Sequence, residues 1–221
     1  MIFLMAALDF SFLKKFKSLD SLKQSAPSIG NTAELKKQIS ELELQLELYN
    51  LIIERYRKFI EDGESKSVSE LRLLVRPMDS SIIEMKISIE DSFNPYSYDS
   101  NFLLATQRAM DTIFAWKRVK MPLSFWMGFD DMIRLRAADD IDRAIILCSL
   151  FRALGSQSAR VLLGKDKTAW VSFLFGQKQY VVDIGQKTMS TYPLDEDGIK
   201  QFMYNIQYSF NEKDYEDYSK E

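Results

Sequence analysis

Histidine occurs nowhere in the 221 residues, and cysteine occurs once, at Cys148. That inventory removes Ser-His-Asp and Cys-His catalysis together, because both need an imidazole to carry a proton near neutral pH. It also removes nearly every ordinary zinc site, so neither a metal nor a cofactor is expected. Asp, Glu, Lys, Tyr, Ser and Thr remain for chemistry. Asp139, Asp140 and Asp142 gather at the head of an apolar run, and Asp183 closes a strand-like run. Their oxygens suit Ca²⁺ or Mg²⁺, but the spacing contains no calcium loop, and helix capping and surface charge are their default roles. Asp140 with Asp183 as an acid–base pair would need a fixed separation, which nothing in the spacing supplies. Ser65, Ser67 and Thr168 have no base partner. Cys148 lies two turns into an apolar helix, between Leu147 and Leu150, and reads as a buried structural thiol.

The elements that must position these residues follow from periodicity. Asp139 to Leu154 (DDIDRAIILCSLFRAL) is apolar on most sides, which is the signature of a central, buried helix. Asp139 and Asp140 suit its positive N-terminal end, and Gly155 stops it. Strand-like runs follow at Ala159–Leu163, Thr168–Phe175 and Gln179–Ile184, with Gly176-Gln177-Lys178 as the turn of a hairpin. Ile206–Phe210 adds a further strand, and the acidic tail after it is expected to fray. Upstream, helices are expected at Ser69–Arg76, Asn101–Val119 and Asp130–Leu135. Phe93–Ser100 reads as a loop, and Met121–Phe129 as an aromatic loop that carries Phe125, Trp126 and Phe129.

A second long helix is expected from about Thr32 to Glu61. Leu35, Ile39, Leu42, Leu46, Tyr49, Ile53, Tyr56 and Ile60 recur at alternating steps of four and three, a heptad seam of almost four repeats. Leu44, Leu48, Leu51, Ile52 and Phe59 widen the stripe. Such a helix has to bury its apolar side, either on a copy of itself or another partner, or on its own globular part.

Net charge of −3 and the lack of a long Lys/Arg run give no general pull towards nucleic acid. No run of about 20 apolar residues predicts a transmembrane helix. Residues 1–13 are apolar, but their lysines follow the run rather than precede it, unlike a signal peptide. They read as a short helix packed on the domain or a partner, with peripheral membrane contact as the alternative. A lone cysteine fits the reducing cytoplasm. The chain is expected to divide into an apolar segment and linker (1–31), the long helix (32–63), a globular domain (66–210) and an acidic tail (211–221).

The globular part resembles the transglutaminase-like superfamily, whose fold is papain-like. Microbial members carry a Gly-Asp-Cys-Glu-Asp-Lys-Ala pattern into an apolar helix that closes with Arg-Ala-Leu-Gly. A strand follows, then His-Ala-Trp-Val, then a strand ending in Asp-Pro. This chain offers Ala138-Asp139-Asp140-Ile141-Asp142-Arg143-Ala144, Arg152-Ala153-Leu154-Gly155, Thr168-Ala169-Trp170-Val171 and Asp183-Ile184. The resemblance covers about residues 66–210. It implies an α+β fold in which a central helix packs on an antiparallel sheet. Carried across, Asp140 stands at the cysteine position, Thr168 at the histidine position, and Asp183 keeps the aspartate. A carboxylate is a weak nucleophile and Thr168 cannot shuttle protons. The resemblance therefore implies a catalytically inactive protein- or peptide-binding or scaffolding module, with Trp126, Asp139, Asp140, Thr168, Trp170 and Asp183 as cleft residues and the heptad helix for oligomerisation or docking. The alternatives are a divergent hydrolase or acyl transferase using Asp140, Thr168 and Asp183, and a regulatory subunit of an active paralogue.

Overall fold

Leu and Ile dominate two helices of this chain, and the fold treats them differently. The computed structural model describes residues 32–120, 125–193 and 205–218. The expected linker and apolar segment at 1–31, and the start of the aromatic loop at 121–124, lie outside the described residues. Contacts divide the chain into two units, residues 1–56 and 57–221.

In the first unit the described structure is helix α1, Thr32–Glu64, which continues into the second. Its apolar residues between 35 and 56 are largely exposed: Leu42 at 56%, Leu46 at 62% and Ile39 at 54%.

The second unit is α+β. Its helices are α2 (Val68–Leu71, followed by a single 3-10 turn), α3 (Ser80–Glu90), α4 (Tyr98–Phe114), α5 (Phe129–Leu135) and α6 (Asp140–Ala153). Local chemistry sets their starts. The Ser67 N–H donates to Glu70 Oε2 at 2.8 Å ahead of α2, and Asp79 Oδ1 accepts from the Ser81 N–H at 3.1 Å to cap α3. The segment at 80–91, which has no clear periodicity, is thus a helix through its cap and its burial of Ile82 and Ile89.

Two-residue strands β1 (Lys117–Arg118) and β2 (Ala137–Ala138) pair in parallel just before α6. The main sheet comprises β3 (Arg160–Gly164), β4 (Ala169–Phe175), β5 (Lys178–Asp183), β6 (Thr188–Pro193), β7 (Ile206–Phe210) and β8 (Tyr215–Asp217). Its order is β6-β5-β4-β3-β7-β8 and every pairing is antiparallel. The expected fraying of the acidic tail is corrected here, because residues 215–217 form the edge strand β8 on β7. Strand β6 was not evident from periodicity, since its residues are mostly polar (TMSTYP).

Helix α6 is the hub. Every residue from Asp142 to Arg152 is buried. One face of the sheet packs against it. Phe151 of α6 meets Phe173 of β4 edge-to-face at 5.3 Å, and Phe102 of α4 meets Phe173 at the same separation. Tyr180 of β5 stacks on Phe173 at 5.1 Å. Side chains alternate along a strand, and directly opposed residues share a face. The register Phe173↔Tyr180 and Val171↔Val182 therefore puts Ala169, Val171, Phe173, Tyr180 and Val182 on the α6 side. Past the helix, Gly155 adopts φ +114°, and a Cβ there would lie 2.9 Å from the Tyr98 ring, so both backbone and space call for glycine.

Candidate functional site

The head of α6 concentrates charge in an otherwise apolar interior. Asp139 is the N-cap, and its Oδ1 accepts from the Asp142 N–H at 2.8 Å. Asp140, the first helical residue, forms an ion pair with Arg118 of β1. Asp142, already grouped with the capping carboxylates in the sequence, and Arg143, which sequence reasoning did not single out, complete the cluster. Asp142 is 2% exposed and Arg143 is fully buried, with its Nη2 donating to the Trp116 carbonyl at 2.7 Å.

Burial decides the protonation of this cluster. Desolvation, aided by the neighbouring Asp139 charge, pushes the Asp142 carboxyl up to about 8, against a hydrogen bond from the Met127 backbone that favours the ionised form. Asp142 is therefore mostly a neutral acid at pH 7. Desolvation likewise raises Asp139, with hydrogen bonds from the Asp142 and Ile141 backbone opposing it. Burial lowers Arg143, partly offset by Asp140. Asp140 Oδ1, Asp142 Oδ2, and Arg143 Nε and Nη1 are buried with no hydrogen-bond partner. Among the described residues, Ser209 Oγ alone shares that condition. The signal that could have found Arg143 is its position within the apolar run 141–151, three residues past Asp140.

The aromatic loop closes over this end. Trp126 is half-buried, and its Nε1–H donates to the carbonyl of Glu64, the last residue of α1, at 3.0 Å. Met127 approaches Asp142, and Phe129 opens α5 with the Arg76 guanidinium 4.6 Å over its ring. Phe125 is exposed. Trp126, Asp139 and Asp140 thus belong to the same end of the second unit.

Thr168, Trp170 and Asp183 are elsewhere. Trp170 stands opposite Asp183 in the β4–β5 register, on the face turned away from α6. The Trp170 Nε1–H donates to Asp183 Oδ2 at 3.0 Å, and the Gln186 N–H donates to Asp183 Oδ1 at 2.8 Å. Thr168 is exposed, and its hydroxyl donates to Asp166 Oδ1 at 2.6 Å. The Trp170 ring and the Thr168 hydroxyl both crowd Gly164, where a Cβ would meet them at 2.9 and 2.3 Å. No family model, no curated protein and no solved structure matches the chain. The site must therefore be read from its own geometry.

That geometry gathers Asp139, Asp140, Asp142, Arg118 and Arg143 at one end of α6, and Thr168, Trp170 and Asp183 on the other side of the sheet. The sheet residues facing α6 nearest Thr168 and Asp183 are Ala169 and Val182, with Ile184 buried in the same core. They bring no proton carrier. Cys148 is fully buried, and burial raises its thiol far above the ordinary range, leaving it protonated. Among the described residues no group of three Asp, Glu, His or Cys side chains could hold a metal ion. No described helix is long and apolar enough to cross a membrane. A groove of about 420 Å³ opens beside Ser158, Arg160, Ser172, Gln179 and Asn211, and includes none of the residues singled out from the sequence.

Proposed function

We propose that this chain is a non-catalytic, transglutaminase-like protein- or peptide-binding module that docks through α1. The observation that carries the reading is the separation of Asp140 from Asp183. The first is neutralised by Arg118 at the head of α6, and the second is held by Trp170 across the sheet. A nucleophile, a base and an orienting acid must lie within hydrogen-bond reach of one another, and these positions do not offer that. The only thiol is buried and protonated. The exposed Leu/Ile stripe on residues 35–56 supports the docking half, because a helix of this kind needs its apolar side covered. A lone reduced thiol is compatible with action in the cytoplasm.

The test is turnover. The chain is incubated with a broad peptide and ester library, and partner capture is measured in parallel with Asp140→Ala and Asp183→Ala. No turnover, with capture unchanged in Asp140→Ala, supports the reading. Hydrolysis or acyl transfer that either substitution abolishes overturns it in favour of a divergent enzyme.

A further inference from the structure

The α1 stripe contains enough to choose its occupant and orientation. The steps of four and three assign Ile39, Leu46 and Ile53 to a positions and Leu35, Leu42, Tyr49 and Tyr56 to d positions. Within parallel coiled coils, Ile at a with Leu at d favours two strands over three or four. Two of these three a residues are Ile, and both d residues in the first half are Leu. The flanking residues point the same way. In a parallel, in-register pair the g→e′ contacts are Gln38 with Glu43, Gln45 with Asn50, and Ile52 with Arg57 of the second copy. None is a like-charge pair. An antiparallel pair overlapping over the same layers would set Lys36 against Arg57 twice, at a cost in Coulomb energy.

The area is sufficient. Burying an aliphatic side chain corresponds to about 60–120 Å². Seven layers with one side chain from each copy give an interface of about 850–1,700 Å², which reaches the range of stable pairs. A rival face exists. Leu44, Leu48 and Leu51 are exposed at 67%, 54% and 63% and lie on c and f positions. That run spans two turns only, whereas the a/d seam is sustained from Leu35 to Tyr56.

We propose that α1 pairs with a second copy of this chain as a parallel, in-register, two-stranded coiled coil along residues 35–56; this rests on the docking role given to α1 above.

The experiment uses the full chain. Light scattering is expected to report a dimer. Ile39→Lys with Leu46→Lys is expected to raise the dimer dissociation constant by more than about 100-fold. Leu44→Lys with Leu48→Lys and Leu51→Lys is expected to leave the dimer intact, which separates loss of the seam from loss of the helix. Orientation is read by disulfides. Cys148 is fully buried, so introduced thiols are the reactive ones. Leu35→Cys alone and Tyr56→Cys alone should each crosslink to their own kind. A monomer at high micromolar concentration overturns the proposal. So does dissociation by the outer-face triple substitution, or crosslinking only when Leu35→Cys and Tyr56→Cys chains are mixed. A monomer without turnover would remove the coiled coil and leave the non-catalytic reading standing, whereas a dimer with turnover would do the reverse.

Discussion

Helices α1 and α6 are both rich in Leu and Ile, yet α1 carries its leucines and Ile39 exposed while Ile52, Ile53 and Ile60 are half-buried, and α6 carries Asp142 and Arg143 buried. In α6 the apolar residues surround the axis, so the helix is at home only with protein on all sides. In α1 they form stripes, and the polar remainder of the helix tolerates water. The lesson concerns cost. Truncating an exposed side chain of α1 should cost little stability, whereas truncating a buried one of α6 should cost much.

The largest test of that contrast is truncation. Phe151→Ala removes a ring packed against Phe102 and Phe173 and should cost about 3–5 kcal/mol in denaturant unfolding. Leu48→Ala on α1 should change the same transition by less than about 0.5 kcal/mol. A comparable loss in both would break the comparison.

The next effect is electrostatic. The folded Asp142 binds its proton more tightly than the unfolded chain does, so stability falls as pH rises from about 4 to about 8. The sign follows from linkage: over that window the native state retains a proton that the unfolded state has lost. Asp142→Asn mimics the neutral acid. It should raise stability progressively as pH climbs from about 4 to about 8, by up to about 1.4 kcal/mol per pH unit, and leave it unchanged near pH 4, measured as unfolding free energy against pH. A pH-independent difference would show that Asp142 is ionised in the fold. The smallest effect is at the cap. Asp139→Ala removes the acceptor for the Asp142 N–H and should cost about 1 kcal/mol in thermal unfolding. No loss there would mean that the other groups at the head of α6 replace the cap.

Much of the fold was legible because its signals are local. The heptad steps of α1, the apolar run and Gly155 of α6, and the β4–β5 hairpin all appear at their expected places within a few residues. Strands β6 and β8 were not legible, since Thr188–Pro193 and Tyr215–Asp217 are polar or charged and acquire strand character from pairing with β5 and β7. The candidate site was half legible. Asp139 and Asp140 announce a helix start. The burial of Asp142 and Arg143, and the approach of Met127 and Trp116 to them, depend on how the 125–129 loop and β1 pack over that end.

Composition alone determined the chemical inventory: without histidine, and with one cysteine inside an apolar helix, imidazole-dependent catalysis is closed to this chain in any fold. Only the tertiary structure decided that Thr168, Trp170 and Asp183 look away from Asp140. The reason is the two-residue period of a strand. The register that pairs Trp170 with Asp183 gives the α6 side to Ala169, Val171 and Val182, and a shift by one residue would exchange the faces.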